Sequence, residues 1–202
     1  MKKFIYLISP KNIKGNKFYR EIDLVIKTNN VKFFQLRLKK TTTKNLIRIS
    51  KKIKKIAEKN NVKFLINDKP VIAKKVGADG CHIGQKDTNL KKSRKILGKN
   101  KIIGVTCHNS KKLALKAKKY HADYVAFGSF FKSSTKKTPF EANLAILRWA
   151  KKKINMPTVA IGGINSSNYN KILSSGADYI ACSNYISNNK NVDPVSAINK
   201  FK

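Results

Sequence analysis

Apolar positions along the chain fall into short continuous runs, each followed by a longer segment of helical spacing. Residues 4–8 form the first run, closed by Ser9-Pro10, and 18–26 carry the spacing of an amphipathic helix. The unit then repeats: a strand over 33–38, and a helix over 43–59 with Leu46, Ile47, Ile49, Ile53 and Ile56 on its apolar side. A strand over 64–66 precedes a short helix over 71–76, and a strand over 81–83 precedes a helix over 90–97 that stops at Gly98. Residues 102–105 predict the fifth strand and Ser110 starts a helix running to Tyr120; 124–127 predict the sixth strand, and 128–139 a longer polar loop. A helix over 140–153, a strand over 158–161, a helix over 165–173, a strand over 179–182 and a helix over 195–201 complete the pattern. Buried parallel strands read as continuous apolar runs, so eight such alternations predict an α/β fold, a parallel (β/α)8 TIM barrel formed as a single domain over 1–202.

Composition fits that picture: 202 residues suit one domain, and an apolar fraction of 41% supplies a sizeable core. The formal charge of +35 brings nucleic acid to mind as a partner, and a basic binding protein on a barrel scaffold accounts for it. The basic residues are nearly all lysines, spread from Lys2 to Lys202 over the polar faces of the expected helices, which favours a solvated surface that draws anionic small molecules. Cys81, Cys107 and Cys182 are widely spaced within or beside apolar runs and lack metal-ligand or redox spacing, so buried free thiols are expected. The opening MKKFIYLISP is too short for a secretory h-region and no long apolar segment occurs elsewhere, so a cytoplasmic location is expected.

Candidate chemistry lies just after the strands, at the rim where barrels carry their sites. Asp68 and Asp87 follow the third and fourth runs. Carboxylates at one rim repel unless a cation lies between them, and hard oxygen ligands suit Mg²⁺. The other reading of Asp68 is a cap for the helix that begins near Pro70. Gln35, Arg37 and Lys39 share one side of the second strand; facing inward they need an anionic ligand, and facing outward they are a solvent face. The loop Phe131-Lys132-Ser133-Ser134-Thr135-Lys136-Lys137-Thr138 offers hydroxyls and ammonium groups to a phosphate. Gly162-Gly163 and Cys182-Ser183-Asn184 stand after the seventh and eighth strands, as a phosphate site or, for the glycines, a tight turn. Thr106 offers a hydroxyl to a ligand. His108 is a base or the approach to the next helix, and His82 reads as a satisfied interior residue.

Six motifs in order, Q-L-R-x-K from Gln35, I-N-D from Ile66, G-A-D-G-x-H-I-G-Q-x-D from Gly77, G-V-T-x-H from Gly104, S-x-T-K from Ser133 and A-I-G-G-I from Ala160, resemble the thiamine phosphate synthase family from first strand to last helix. The resemblance implies a transferase that displaces pyrophosphate from an aminopyrimidine methyl diphosphate with the nitrogen of a thiazole phosphate. It implies Mg²⁺ on Asp68 and Asp87, and the diphosphate substrate on Gln35, Arg37, Lys39, Asn67 and Lys136. By the same resemblance Thr106, in place of the family's usual Ser, would lie beside the pyrimidine, and Thr106, Lys136 and Arg37 would act at the reacting bond. Ser133, Thr135, Gly163, Cys182 and Ser183 would hold the thiazole phosphate. Ser133, where Thr is more usual, Ser129 and Lys132, where Pro is usual, and Cys182-Ser183-Asn184 depart from the pattern on the thiazole side. The related thiazole tautomerase, which would use His108, needs neither the paired acids nor the Gln35-Arg37-Lys39 set.

Overall fold

The computed structural model describes residues 3–13, 15–28, 30–132, 139–189 and 191–202. Eight parallel strands, β1 (Ile5–Ile8), β2 (Val31–Leu36), β3 (Lys63–Asn67), β4 (Gly80–Ile83), β5 (Ile102–His108), β6 (Tyr124–Phe127), β7 (Thr158–Ile161) and β8 (Tyr179–Cys182), close in sequence order into a barrel. Around it run α1 (Lys17–Lys27), α2 (Thr43–Lys59), α3 (Pro70–Val76), α4 (Leu90–Leu97), α5 (Lys111–Lys119), α6 (Leu144–Lys153), α7 (Tyr169–Ser174), α8 (Asn184–Ser187) and α9 (Pro194–Asn199). No helix among the described residues is long and apolar enough to cross a membrane.

The strands are mostly apolar because both of their faces are covered. Tyr6, Ile8, Phe33, Leu65, Tyr124, Ala126, Val159 and Ala181 fill the barrel interior, while Ile5, Leu7, Phe34, Leu36, Phe64 and Ile66 pack in the layer between strands and helices. Cys81, Cys107 and Cys182 are free and buried in that outer layer, as expected, and burial pushes each thiol up to about 12.

Departures from the expected elements have local causes. The helix expected over 140–153 begins only at Leu144, because Phe140 and Ala142 are held in backbone pairing with Ser129 at 3.1 and 2.8 Å. That expected over 165–173 begins at Tyr169: the Asn165 side chain accepts from the Ser167 N–H and the Asn168 side chain from the Asn165 N–H, both at 2.9 Å, a side-chain competition with helix formation. Strand β5 runs past Val105 to His108 through a bulge at Cys107, where Thr106 pairs with Ala126 and His108 with Phe127.

At the N-terminal rim the pair Ala-Asp recurs at 78–79, 122–123 and 177–178, ahead of β4, β6 and β8. Each aspartate N–H donates to the carbonyl of a residue in the preceding strand, Phe64, Ile103 or Thr158, and its carboxylate accepts from that same residue's N–H at 2.9, 2.7 and 2.9 Å. Each also meets a cation: Lys63 at 3.1 Å, Arg94 at 2.6 Å and Lys151 at 3.8 Å. Asp123→Ala would orphan the Ile103 N–H and strip Arg94 of its carboxylate, so a loss of about 1–3 kcal/mol is expected in urea unfolding, with turnover of the surviving folded protein unchanged.

Candidate active site

Asn67 ends β3 opposite His82 of β4. The Asp68 N–H still donates to the His82 carbonyl at 2.8 Å, and the chain then turns sharply, with Asp68 at φ 63°. Asp68 therefore does not cap α3. That position belongs to Lys69, whose side chain makes no capping bond, and the Asp68 carboxylate is left for the rim. Asp87 reaches the same rim from the turn after β4, its Oδ2 accepting from the Gly84 N–H at 2.8 Å. Burial raises the Asp68 carboxyl above the ordinary aspartate value of 3.8. A hydrogen bond with Asp87 and that group's charge raise it further, against an opposing pull from Lys39 at 3.5 Å. The two acids line a cavity of about 370 Å³ together with Lys39, Asn67, Lys69 and Lys86. Such a pair can share a proton or hold a divalent cation. Lys69 and Lys86 escaped the sequence reading, since nothing separates them from the many surface lysines.

Gln35, Arg37 and Lys39 are not buried together. Strand β2 ends at Leu36, so the row climbs out of the barrel: Gln35 is 3% exposed, Arg37 is partly covered, and the Lys39 side chain is 57% exposed. This ascent puts a neutral amide inside and the two cations where water still reaches them, which avoids the cost of burying charge.

Below the acids lies a connected set of polar side chains. The Gln35 amide donates to Asn67 Oδ1, and its Oε1 accepts from the Tyr6 hydroxyl at 2.9 Å. The hydroxyls of Tyr6 and Tyr124 meet at 2.7 Å, Tyr124 meets His82 Nδ1 at 2.9 Å, and His82 Nε2 meets Thr106 Oγ1 at 2.8 Å. Burial pushes the His82 ring down to about 4, with a smaller upward pull from Asp87 and a downward one from Arg37, and burial also raises both phenols. A Cβ on Gly104 would fall inside the Tyr124 ring, so a glycine in β5 is what lets that ring lie across the interior. The reading of His82 as a satisfied interior residue holds, since both ring nitrogens are bonded. The two tyrosines went unnoticed because an aromatic residue inside an apolar run signals core.

On the opposite side of the mouth Gly162 and Gly163 take φ values of 110° and 62°. A Cβ on Gly162 would come 2.7 Å from Ser129 Cβ and one on Gly163 would come 2.7 Å from Phe131 Cβ. Phe130 and Phe131 donate to the carbonyls of Ile161 and Gly162 at 3.2 and 3.0 Å. The absence of side chains at the two glycines thus admits the 129–132 segment. Cys182 is 2% exposed in the outer layer, its Sγ 3.9 Å from the Ile164 carbonyl, so only its backbone can face the mouth. Ser183 precedes α8 and donates to the Ser9 carbonyl at 3.3 Å. His108, at φ 52°, stacks on Phe140 with ring centroids 3.8 Å apart. Ser133, Thr135 and Lys136, with Ser134, Lys137 and Thr138, lie outside the described residues.

A family model described as thiamine monophosphate synthase matches residues 5–186. The chain belongs to the thiamine monophosphate synthase family. A relative from Pelagibacter ubique, a thiamine-phosphate synthase, is 56% identical over 201 residues, covering 100% of this chain and 97% of its own length. Another of that name from Rhodospirillum centenum is 34% identical, covering 98% and 95%. Among solved structures, a thiamine phosphate pyrophosphorylase from Pyrococcus furiosus superposes with a TM-score of 0.86 at 27% identity, covering 98% of this chain and 93% of its own. Family membership accords with the closed eight-stranded parallel barrel.

Proposed function

We propose that this chain is a Mg²⁺-dependent thiamine-phosphate synthase, which joins 4-amino-2-methyl-5-pyrimidinylmethyl diphosphate to a thiazole phosphate, or its carboxylated form, and releases pyrophosphate. The observation that carries the reading is Asp68 facing Asp87 beside Lys39, directly above the Gln35–Asn67 pair. An Asp68 carboxyl whose ionisation is opposed by burial and by a facing second carboxylate suits a hard divalent cation. Among the described residues no cluster of three or more potential ligands occurs, so phosphate oxygens and water would complete the shell, as Mg²⁺ prefers. When bound, the cation offsets charge on the departing pyrophosphate.

The residues divide the work by position. Arg37 and Lys39, at the rim, bind the diphosphate and steady its growing charge as the C–O bond breaks, with Lys136 in the same role. Gln35, Asn67 and Thr106, below them, orient the aminopyrimidine ring. The electron pair leaves with pyrophosphate, and the thiazole nitrogen supplies the pair for the new C–N bond to the pyrimidinylmethyl cation. Ser133, Thr135, and the backbone at Gly163, Cys182 and Ser183 hold the thiazole phosphate. The surface charge of +35 draws both anions toward the mouth.

A coupling assay with both substrates, run with Mg²⁺ and with chelator, tests the reading: thiamine phosphate and pyrophosphate should appear together and only with metal. Thiazole isomerisation without coupling would instead assign the chain to tautomerase chemistry at His108. Arg37→Ala is expected to weaken the pyrimidine diphosphate by about 10- to 100-fold, the loss of one charge-assisted contact, while the KM for the thiazole phosphate changes little. Steady-state kinetics with each substrate varied in turn checks the split.

A further inference from the structure

The polar set inside the barrel has a direction. Each tyrosine has one hydroxyl proton to give, and an amide oxygen only accepts. Because Gln35 turns its amino group to Asn67, its Oε1 takes the Tyr6 proton. With that proton committed, Tyr124 must donate across the 2.7 Å contact between the phenols. Tyr124 then has none left for His82, so the 2.9 Å contact is donated by Nδ1–H of the ring. A neutral ring that carries its proton on Nδ1 has Nε2 bare, and the Thr106 hydroxyl donates to it at 2.8 Å.

We propose that Tyr6 and Tyr124 are positioning residues: they relay the amide orientation of Gln35 across the barrel, lock His82 as its Nδ1–H tautomer, and turn the Thr106 oxygen toward the mouth as an acceptor only. An acceptor at that point matches an amino N–H on the pyrimidine and opposes a carbonyl in its place, so the relay selects aminopyrimidines over their oxo counterparts. This selectivity rests on the function proposed above; the tautomer does not. Histidine 15N chemical shifts, read through long-range proton correlation on the ligand-free chain, report which ring nitrogen bears the proton.

The chain has three histidines, and the signal lost in His82→Gln assigns the ring. The parent should show Nδ1–H at His82. In Tyr6→Phe, Tyr124 regains a free proton, gives it to Nδ1, and the ring should switch to Nε2–H. In Tyr124→Phe the fixed tautomer should be lost. Its kcat should fall about 10- to 100-fold with the pyrimidine KM within about threefold, since orientation and not ground-state binding is disturbed, and the preference for the amino over the oxo diphosphate should shrink. An Nε2–H ring in the parent, or a His82 signal unmoved by both substitutions, would overturn the relay. An inactive parent that shows the Nδ1–H ring and its switch would retain the relay and reject the synthase reading.

Discussion

Asp68→Asn is expected to abolish turnover, by about a thousandfold or more, while making the metal-free protein more stable at neutral pH. The first effect follows from removing one of two carboxylates at the mouth. The second follows from what holds Asp68 there. Burial and Asp87 raise its pKa in the folded chain, so ionising it opposes folding. The stability contributed by its protonated form is fully present below 3.8, the ordinary value, and is lost as pH rises through the raised one. Asparagine carries no such loss. In chelator, the melting temperature of the variant should therefore exceed the parent's at neutral pH, and the advantage should shrink toward zero as pH falls below that ordinary value. The ion pair given up to Lys39 is too exposed to reverse the sign, its lysine being open to solvent. Adding Mg²⁺ should raise the melting temperature of the parent but not of the variant. Parent and variant melting alike in chelator across the whole pH range would remove the strain assigned to the acid pair.

Thr106→Val carries the next largest expected loss, about 10²- to 10³-fold in kcat. Valine keeps the shape and discards the hydroxyl, so it strikes two targets at once: the acceptor offered to the pyrimidine, and the hydrogen bond donated to His82 Nε2. Leaving that nitrogen bare should also cost about 1–3 kcal/mol in denaturant unfolding. Thr106→Ser restores both groups and should return most of the activity. Mg²⁺ stabilisation should be the same in all three proteins, because Asp68 and Asp87 are untouched. A valine variant with near-parent kcat would separate the hydroxyl from the chemistry.

The barrel was legible in the sequence because its strands are buried on both faces, and burial is what an apolar run reports. The rim acids were legible as well, from their place just after such runs. What escaped depended on contacts between distant segments. The ascent of Arg37 and Lys39 out of the barrel follows from β2 ending at Leu36, which alternation alone does not mark. The late start of α6 is imposed by Ser129, and the turn at Asp68 by a bond to the His82 carbonyl. Cys182 faces the helices, in line with the buried free thiol expected from its apolar run. Tyr6 and Tyr124 are hidden for another reason. Periodicity counts their rings as core, and says nothing of what two hydroxyls from strands 118 residues apart meet in the middle.

The aspartates of the N-terminal rim bear on how the barrel comes together. Those ahead of β4, β6 and β8 each fasten a strand to its predecessor across only 15 or 20 residues, so three neighbouring strand pairs can be secured early, from nearby sequence. Ahead of β2 the same place holds Asn30, which is buried. Its carbonyl accepts from the Ile5 N–H, while its side chain reaches 171 residues along the chain to the carbonyl of Phe201. The first pair is therefore fastened to the last part of the chain, and that join carries the largest loop-closure entropy of the four. Closure of the ring should be the late event in folding, with Phe201 as its latch and the mouth that holds the acids complete only once the latch has shut.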